Sequence, residues 1–232
     1  MLTPYLYESK SNPQYSLANS AIIILPDIFG LTDYTKATCE QFLSQFEQQV
    51  YVYEYFYSLN SQANVFTPGA MQEAVEMMNR MKGEDFVQPF VDVLQTIQSK
   101  NSHITEFIVV GFCFGGRLAY LGGLDERVNK IVSFYGAGSH QPGFYDAQTP
   151  LEALCEVRKN DSNLEVLSLY GLQDASISAT DRDQTSKDFA KANISYKANE
   201  YYAGHAYFQQ GRPNYDQVAA DESLIVLKKF LR

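Results

Sequence analysis

Apolar residues in this chain fall into short continuous runs separated by longer stretches of helical period. Ala21-Ile22-Ile23-Ile24-Leu25 is apolar throughout and β-branched at its centre, the pattern of a strand covered on both faces. It stops at Pro26-Asp27-Ile28-Phe29-Gly30. A helical pattern runs from about residue 33 to 48, with Thr32 or Asp33 as its N-cap, and residues 49–56 predict a second strand. Residues 69–82 and 84–99 predict two helices separated by Gly83. Further strands are expected at 107–110, 130–135, 164–170 and 195–202, and a closing helix at 215–231.

Strands alternating with helices specify the α/β class: a mostly parallel central sheet with helices on both faces, whose ligands bind outside the carboxyl ends of the strands. No linker, repeat or low-complexity tract divides the 232 residues, so one domain over 1–232 is expected. The hydrophobic content of 45% is sufficient for a substantial core. A net charge of −9 with scattered lysines and arginines argues against nucleic acid and against anionic membranes. The N-terminal decapeptide lacks the basic start and apolar core of a signal peptide, and no run approaches the ~20 apolar residues of a membrane span; a cytoplasmic location is the expectation.

The chemistry concentrates just after strands. Gly111-Phe112-Cys113-Phe114-Gly115-Gly116 follows the 107–110 strand and precedes a helix opening near Arg117. The glycines would permit a sharp strand-to-helix turn that lifts Cys113 clear of the sheet, at the positive end of a helix dipole. This is where proteins of the α/β-hydrolase fold carry their nucleophile. Cys39 and Cys155 lie in helix-like stretches and are expected to pack as small hydrophobes.

A thiol nucleophile needs a base, and the base needs a group that fixes its tautomer. Three histidines are available. His103 precedes a strand and His140 lies in a polar loop, and both are expected to be solvated. His205, in Ala203-Gly204-His205-Ala206 after the last strand, is the candidate base. Asp174, in Gly171-Leu172-Gln173-Asp174, follows a strand at the same edge and is the candidate orienting carboxylate. The order Cys113, Asp174, His205 is that of α/β-hydrolase triads. The backbone N–H groups of Phe114 and Ile28 are the expected oxyanion donors.

Together, Pro26-Asp27-Ile28-Phe29-Gly30, the Cys113 turn, Gly171 to Asp174 and Ala203 to Ala206 resemble the dienelactone hydrolase (carboxymethylenebutenolidase) family in order and spacing, from about residue 20 onward. The resemblance implies a Cys-His-Asp triad, hydrolysis of an ester or lactone through a thioester acyl-enzyme, and no metal or organic cofactor. It also implies that Asp27 stands where the family has a glutamate that contacts the resting thiol and gates it. Two departures concern the substrate. Where the family's type member holds a substrate carboxylate with arginines, this chain has Gln209 and, loosely aligned, Met71, with no arginine until Arg80; Arg212 is the nearby candidate replacement.

Gln209, Arg212, Tyr135 and Tyr207 are therefore the candidate substrate-binding residues, among aromatics that include Phe29, Phe112, Phe114 and Phe208. The expected partner is a small-molecule ester or lactone, acted on by a monomer or weak homo-oligomer. A thioesterase, and a non-catalytic binding or redox-sensing protein of the same fold, are the competing readings.

Overall fold

The computed structural model describes residues 5–8, 18–56 and 69–232. The decapeptide read for a signal lies largely outside them. Seven strands form one sheet: β1 (Tyr5–Glu8), β2 (Ser20–Leu25), β3 (Gln49–Glu54), β4 (Glu106–Phe112), β5 (Val128–Phe134), β6 (Glu165–Gly171) and β7 (Ser195–Tyr201). Seven helices accompany them: α1 (Asp33–Gln45), α2 (Ala70–Arg80), α3 (Gly83–Lys100), α4 (Phe114–Gly122), α5 (Pro150–Val157), α6 (Ala179–Ala192) and α7 (Gln217–Phe230). The strand order is β1-β3-β2-β4-β5-β6-β7, with only β1 antiparallel to its neighbour.

Period-two alternation divides the core into two layers. Ile22, Ile24, Val50, Val52, Val110, Val132 and Leu167 face α1 and α7, where they meet Cys39, Phe42, Leu43 and Leu227. Their neighbours Ala21, Ile23, Tyr51, Tyr53, Val109, Ile131 and Val166 face the opposite layer of Phe86, Phe90, Leu94, Leu118, Leu154 and Phe189. Cys39 is fully buried, as a small hydrophobe is expected to be.

Several boundaries differ from the sequence pattern for identifiable reasons. The first helix stops at Gln45, and Thr32 is its N-cap, accepting from Thr35 N–H. β3 ends at Glu54 because the Glu54 carboxylate accepts the N–H of Phe56 at 3.2 Å, turning the chain out of the sheet. Gly83 does not separate α2 from α3 but opens α3; its N–H donates to Phe144 at 2.8 Å, and a Cβ there would press on the Tyr145 side chain. β1, α5 and α6 were not apparent as elements. α6 buries only Thr185, Phe189 and Ala192 of its fourteen residues, leaving little hydrophobic period to detect.

The order β3-β2-β4 places the topological switch point between β2 and β4, where the chain turns one way to β3 and the other to β4. Crevices open at such points. The two strands end in register, Leu25 opposite Gly111, so the segments that follow them, 26–30 and 113–117, lie side by side at the carboxyl edge. No helix among the described residues is long and apolar enough to cross a membrane.

Candidate active site

The connection between β4 and α4 is the single residue Cys113. Its backbone is at φ 54°, ψ −116°, a region that costs a side-chain-bearing residue on the order of 1–3 kcal/mol. The conformation is fixed from both sides: Cys113 N–H donates to Phe134 at 3.0 Å, and its carbonyl accepts from Arg117 N–H at 3.2 Å. The half-buried thiol is thereby held above the sheet. The glycines do not supply the conformational freedom read from the sequence, for neither Gly111 nor Gly115 has positive φ. They supply space. A Cβ on Gly111 would overlap the Gly115 carbonyl, and one on Gly115 would overlap the Leu25 and Pro26 carbonyl oxygens.

Asp174 and His205 are brought together by lacing between the ends of β6 and β7. Leu172 N–H donates to Tyr201 at 2.8 Å and Gln173 N–H to Ala203 at 3.0 Å, and Gly171 passes too close to the Ala203 carbonyl to carry a side chain. Asp174 follows, its Oδ1 accepting from Ser176 N–H at 2.8 Å and its Oδ2 lying 2.6 Å from His205 Nδ1. Burial works to raise the Asp174 pKa, but the His205 and Ser176 bonds outweigh it and hold the carboxyl below its ordinary range.

His205 is steadied by Asn214, whose side-chain amide donates to the His205 carbonyl at 3.1 Å, and by the Tyr135 ring, edge-on at 5.1 Å. Cys113, at the start of α4, stands among the groups that act on the imidazole. Burial lowers the His205 pKa, yet the hydrogen bonds and charges of Asp174 and Cys113 prevail and push it up to about 10. In the unfolded chain the group titrates near 6.5. The pairing therefore contributes its full stability below that pH and loses it as pH rises through the folded value. We expect NMR to show His205 still protonated at pH 8, and Cys113→Ala to lower its midpoint, since one of the groups that raise it is gone. A wild-type midpoint near that of a free imidazole would contradict this.

The two N–H groups expected to receive an oxyanion belong to Phe114 and Ile28. Phe114 is the first residue of α4, so its N–H has no intrahelical acceptor. In the turn after β2, the Phe29 and Gly30 N–H groups donate to the Asp27 side chain and carbonyl, each at 3.0 Å. The intervening Ile28 N–H has no such partner among the described residues. Tyr55 fixes this turn, its hydroxyl lying 2.7 Å and 2.9 Å from the Pro26 and Asp27 carbonyl oxygens.

Asp27 is buried, and burial raises its pKa against the opposing pull of Arg212 and Phe29 N–H. Its Oδ2 lies 2.6 Å from Arg212 Nη2. No hydrogen bond joins it to Cys113 among the described residues, so the carboxylate expected to contact the thiol is turned to Arg212 instead. Arg212 in turn lies over the Phe29 and Tyr34 rings, 4.8 Å and 5.7 Å from their centroids. It is a paired residue of the site wall, and its charge is already matched.

Glu54 is a further residue of this wall, signalled in the sequence only as an acid inside the apolar run Tyr51-Val52-Tyr53-Glu54-Tyr55-Phe56. Its buried carboxylate accepts from Leu31 and Phe56 N–H, and burial raises its pKa. It fixes the far end of the Asp27 turn and needs glycine at position 30, where φ is 72° and a Cβ would collide with the carboxylate.

The remaining candidates are placed unevenly. Tyr135 is fully buried against His205 and Gln209 is 2% exposed, the Tyr135 hydroxyl and Gln209 Nε2 having no hydrogen-bond partner among the described residues. Tyr207 lies behind Tyr135, and its hydroxyl is 2.9 Å from Ser223 Oγ on α7. It belongs to the core and not to the substrate surface. Phe112 and Phe208 are likewise core residues. His103 is exposed, whereas His140 is not simply solvated: it is half-buried, 3.5 Å from Asp188. Among the described residues no group of three or more His, Cys, Asp or Glu is arranged to hold a metal ion.

The sheet, the single-residue elbow at the switch point and the histidine–carboxylate pair at the same edge define an α/β-hydrolase of the carboxylic ester and lactone class. The chain belongs to the dienelactone hydrolase family, whose model matches residues 3–232. A Synechocystis protein provisionally named carboxymethylenebutenolidase is 25% identical over 98% of this chain and 90% of its own length. Among solved structures, a Klebsiella pneumoniae protein provisionally named dienelactone hydrolase superposes with a TM-score of 0.72 at 20% identity, covering 89% of this chain and 84% of that one. Thermogutta terrifontis esterase 2, phosphorylated by paraoxon, superposes with a TM-score of 0.66 at 13% identity over 97% and 87%.

Proposed function

We propose that the chain hydrolyses an ester or lactone with Cys113 as nucleophile and a thioester intermediate. The observation that carries this reading is the 2.6 Å link from His205 Nδ1 to Asp174 Oδ2 at the sheet edge where the strained Cys113 turn also stands. The raised His205 pKa supports an imidazolium as the proton donor to the leaving group. Sγ attacks the carbonyl carbon, and the carbonyl π electrons move to oxygen, where the Ile28 and Phe114 N–H groups receive the charge. Collapse breaks the carbon–oxygen bond. The leaving alkoxide takes the imidazolium proton, remaining tethered to the acyl group if the substrate is a lactone.

Neutral His205 then removes a proton from water, and the resulting hydroxide adds to the thioester. The C–S bond breaks, thiolate and imidazolium are restored, and the product acid gives its proton to solvent. Asp174 keeps the ring in the tautomer that presents Nε2 to the thiol.

The test is to trap the intermediate. Mixing with p-nitrophenyl acetate and quenching in acid within the first turnovers should give protein heavier by one acetyl group, mapped to the Cys113 peptide. Turnover with the acyl group on another side chain would overturn the assignment.

A further inference from the structure

Arg117 is 4% exposed, and its Nε and Nη2 are buried without a hydrogen-bond partner among the described residues. Every other arginine that is at least half-buried has a carboxylate: Arg127 has Asp125, Arg158 has Asp161, Arg182 has Glu200 and Arg212 has Asp27. Arg80 and Arg232 are exposed. Arg117 has only a neutral substitute, Gln141 Oε1, which accepts from Nη1 at 3.0 Å. Its guanidinium lies 3.8 Å from the centroid of the Phe144 ring and 5.7 Å from that of Phe114. Burial lowers its pKa to about 10, with no acidic neighbour to oppose the shift. A planar fork of donors left in this state is matched chemically by a carboxylate.

Its position suits a substrate. Arg117 is one helical turn beyond Cys113, and the Phe114 ring links it to Tyr55, whose hydroxyl holds the oxyanion turn. The cover is thin. Gln141, Pro142 and Gly143 are exposed, and the covering loop has positive-φ glycines at 138 and 143. On its other side Gly138, Ser139, His140 and Gln141 line a cavity of about 240 Å³, space into which the loop can move.

We propose that Arg117 is the core of a carboxylate-binding site one turn behind the nucleophile, closed in this structure by Gln141 and Phe144, and that the substrate carries an anionic carboxylate that docks there. The site differs from both positions, near Met71 and at Gln209, where the family resemblance led us to expect arginines. The substrate assignment rests on the hydrolase reading above, and the binding site does not. On docking, the Gln141 amide gives way and the carboxylate oxygens take the guanidinium donors; no covalent bond changes.

The test compares p-nitrophenyl butyrate with p-nitrophenyl hydrogen glutarate and, separately, titrates glutarate calorimetrically. Arg117→Met should lower the charged-to-neutral ratio of kcat/KM at least about 30-fold and weaken glutarate at least about tenfold, the scale of a lost charge-assisted bidentate contact. Arg80→Gln should leave both within about twofold, as expected for an exposed charge. Equal losses for the two esters, or glutarate binding that is absent or insensitive to Arg117→Met, would overturn the proposal. If Arg117→Met does not fold, Arg117→Lys decides: it keeps the charge without the fork, and a wild-type ratio in that variant also overturns the proposal. Failure of the hydrolase reading appears differently, as turnover that survives Cys113→Ala, and the glutarate titration then still decides the role of Arg117.

Discussion

Cys113→Ala should lower kcat/KM for p-nitrophenyl esters by a factor on the order of 10⁴ or more, the scale at which a nucleophile that works as a unit with its base fails when removed. The fold should not register the change. The thiol is half-buried and is no large part of the core, and alanine keeps the Cβ, so the strain of φ 54° is neither added nor relieved. A thermal midpoint within about 3 °C of wild type is expected, since a change near 1 kcal/mol moves a domain of this size by only a few degrees. Cys113→Gly separates strain from chemistry: it is equally inactive, but it should gain on the order of 1 kcal/mol because glycine accepts positive φ without penalty. Ester hydrolysis by either variant within tenfold of wild type would remove Cys113 from the mechanism.

The parts of this site that were legible in the sequence are those whose chemistry is written in side chains. Cys113, Asp174 and His205 each follow a strand and a glycine, and the parallel topology sends every such residue to one edge. What was not legible depends on distances between segments remote in sequence. Asp27 and Arg212 are 185 residues apart, and nothing local says that they pair. Tyr207 lies two residues from His205 and looked like part of the site, but its direction is set by Ser223 on the closing helix. Glu54 was hidden because its role is to accept backbone N–H groups, which leave no trace in composition. Arg117 directly follows the nucleophile motif, and only burial shows that its charge lacks an acidic partner among the described residues.

Gly115→Ala sets two physical effects against each other and gives the second large effect. Gly115 is the second residue of α4, and alanine in a helix is ordinarily favoured over glycine by about 1 kcal/mol, so propensity predicts a stabler protein. Packing predicts the reverse. A Cβ here would overlap the Leu25 and Pro26 carbonyl oxygens and lie 2.7 Å from the Leu25 carbonyl carbon, all backbone atoms that cannot rotate aside. The helix and the end of β2 must separate, at about 3 kcal/mol or more, or a midpoint lower by roughly 6–12 °C. Because the displaced segment continues into Asp27 and Ile28, the same movement would withdraw the oxyanion donor proposed at Ile28, and kcat should fall about 10²- to 10³-fold even in the protein that remains folded. Gly116→Ala is the internal comparison. Its nearest atoms are Gly136 Cα at 2.9 Å and Phe134 O and Ser133 Oγ at 3.0 Å, a milder overlap than at Gly115 that still requires the backbone to move, but away from the β2 turn. Stability and kcat should both suffer less there. A Gly115→Ala protein as stable and active as wild type would mean that the close approach of α4 to β2 does not position the oxyanion turn, and that the glycine serves the chain in some other way.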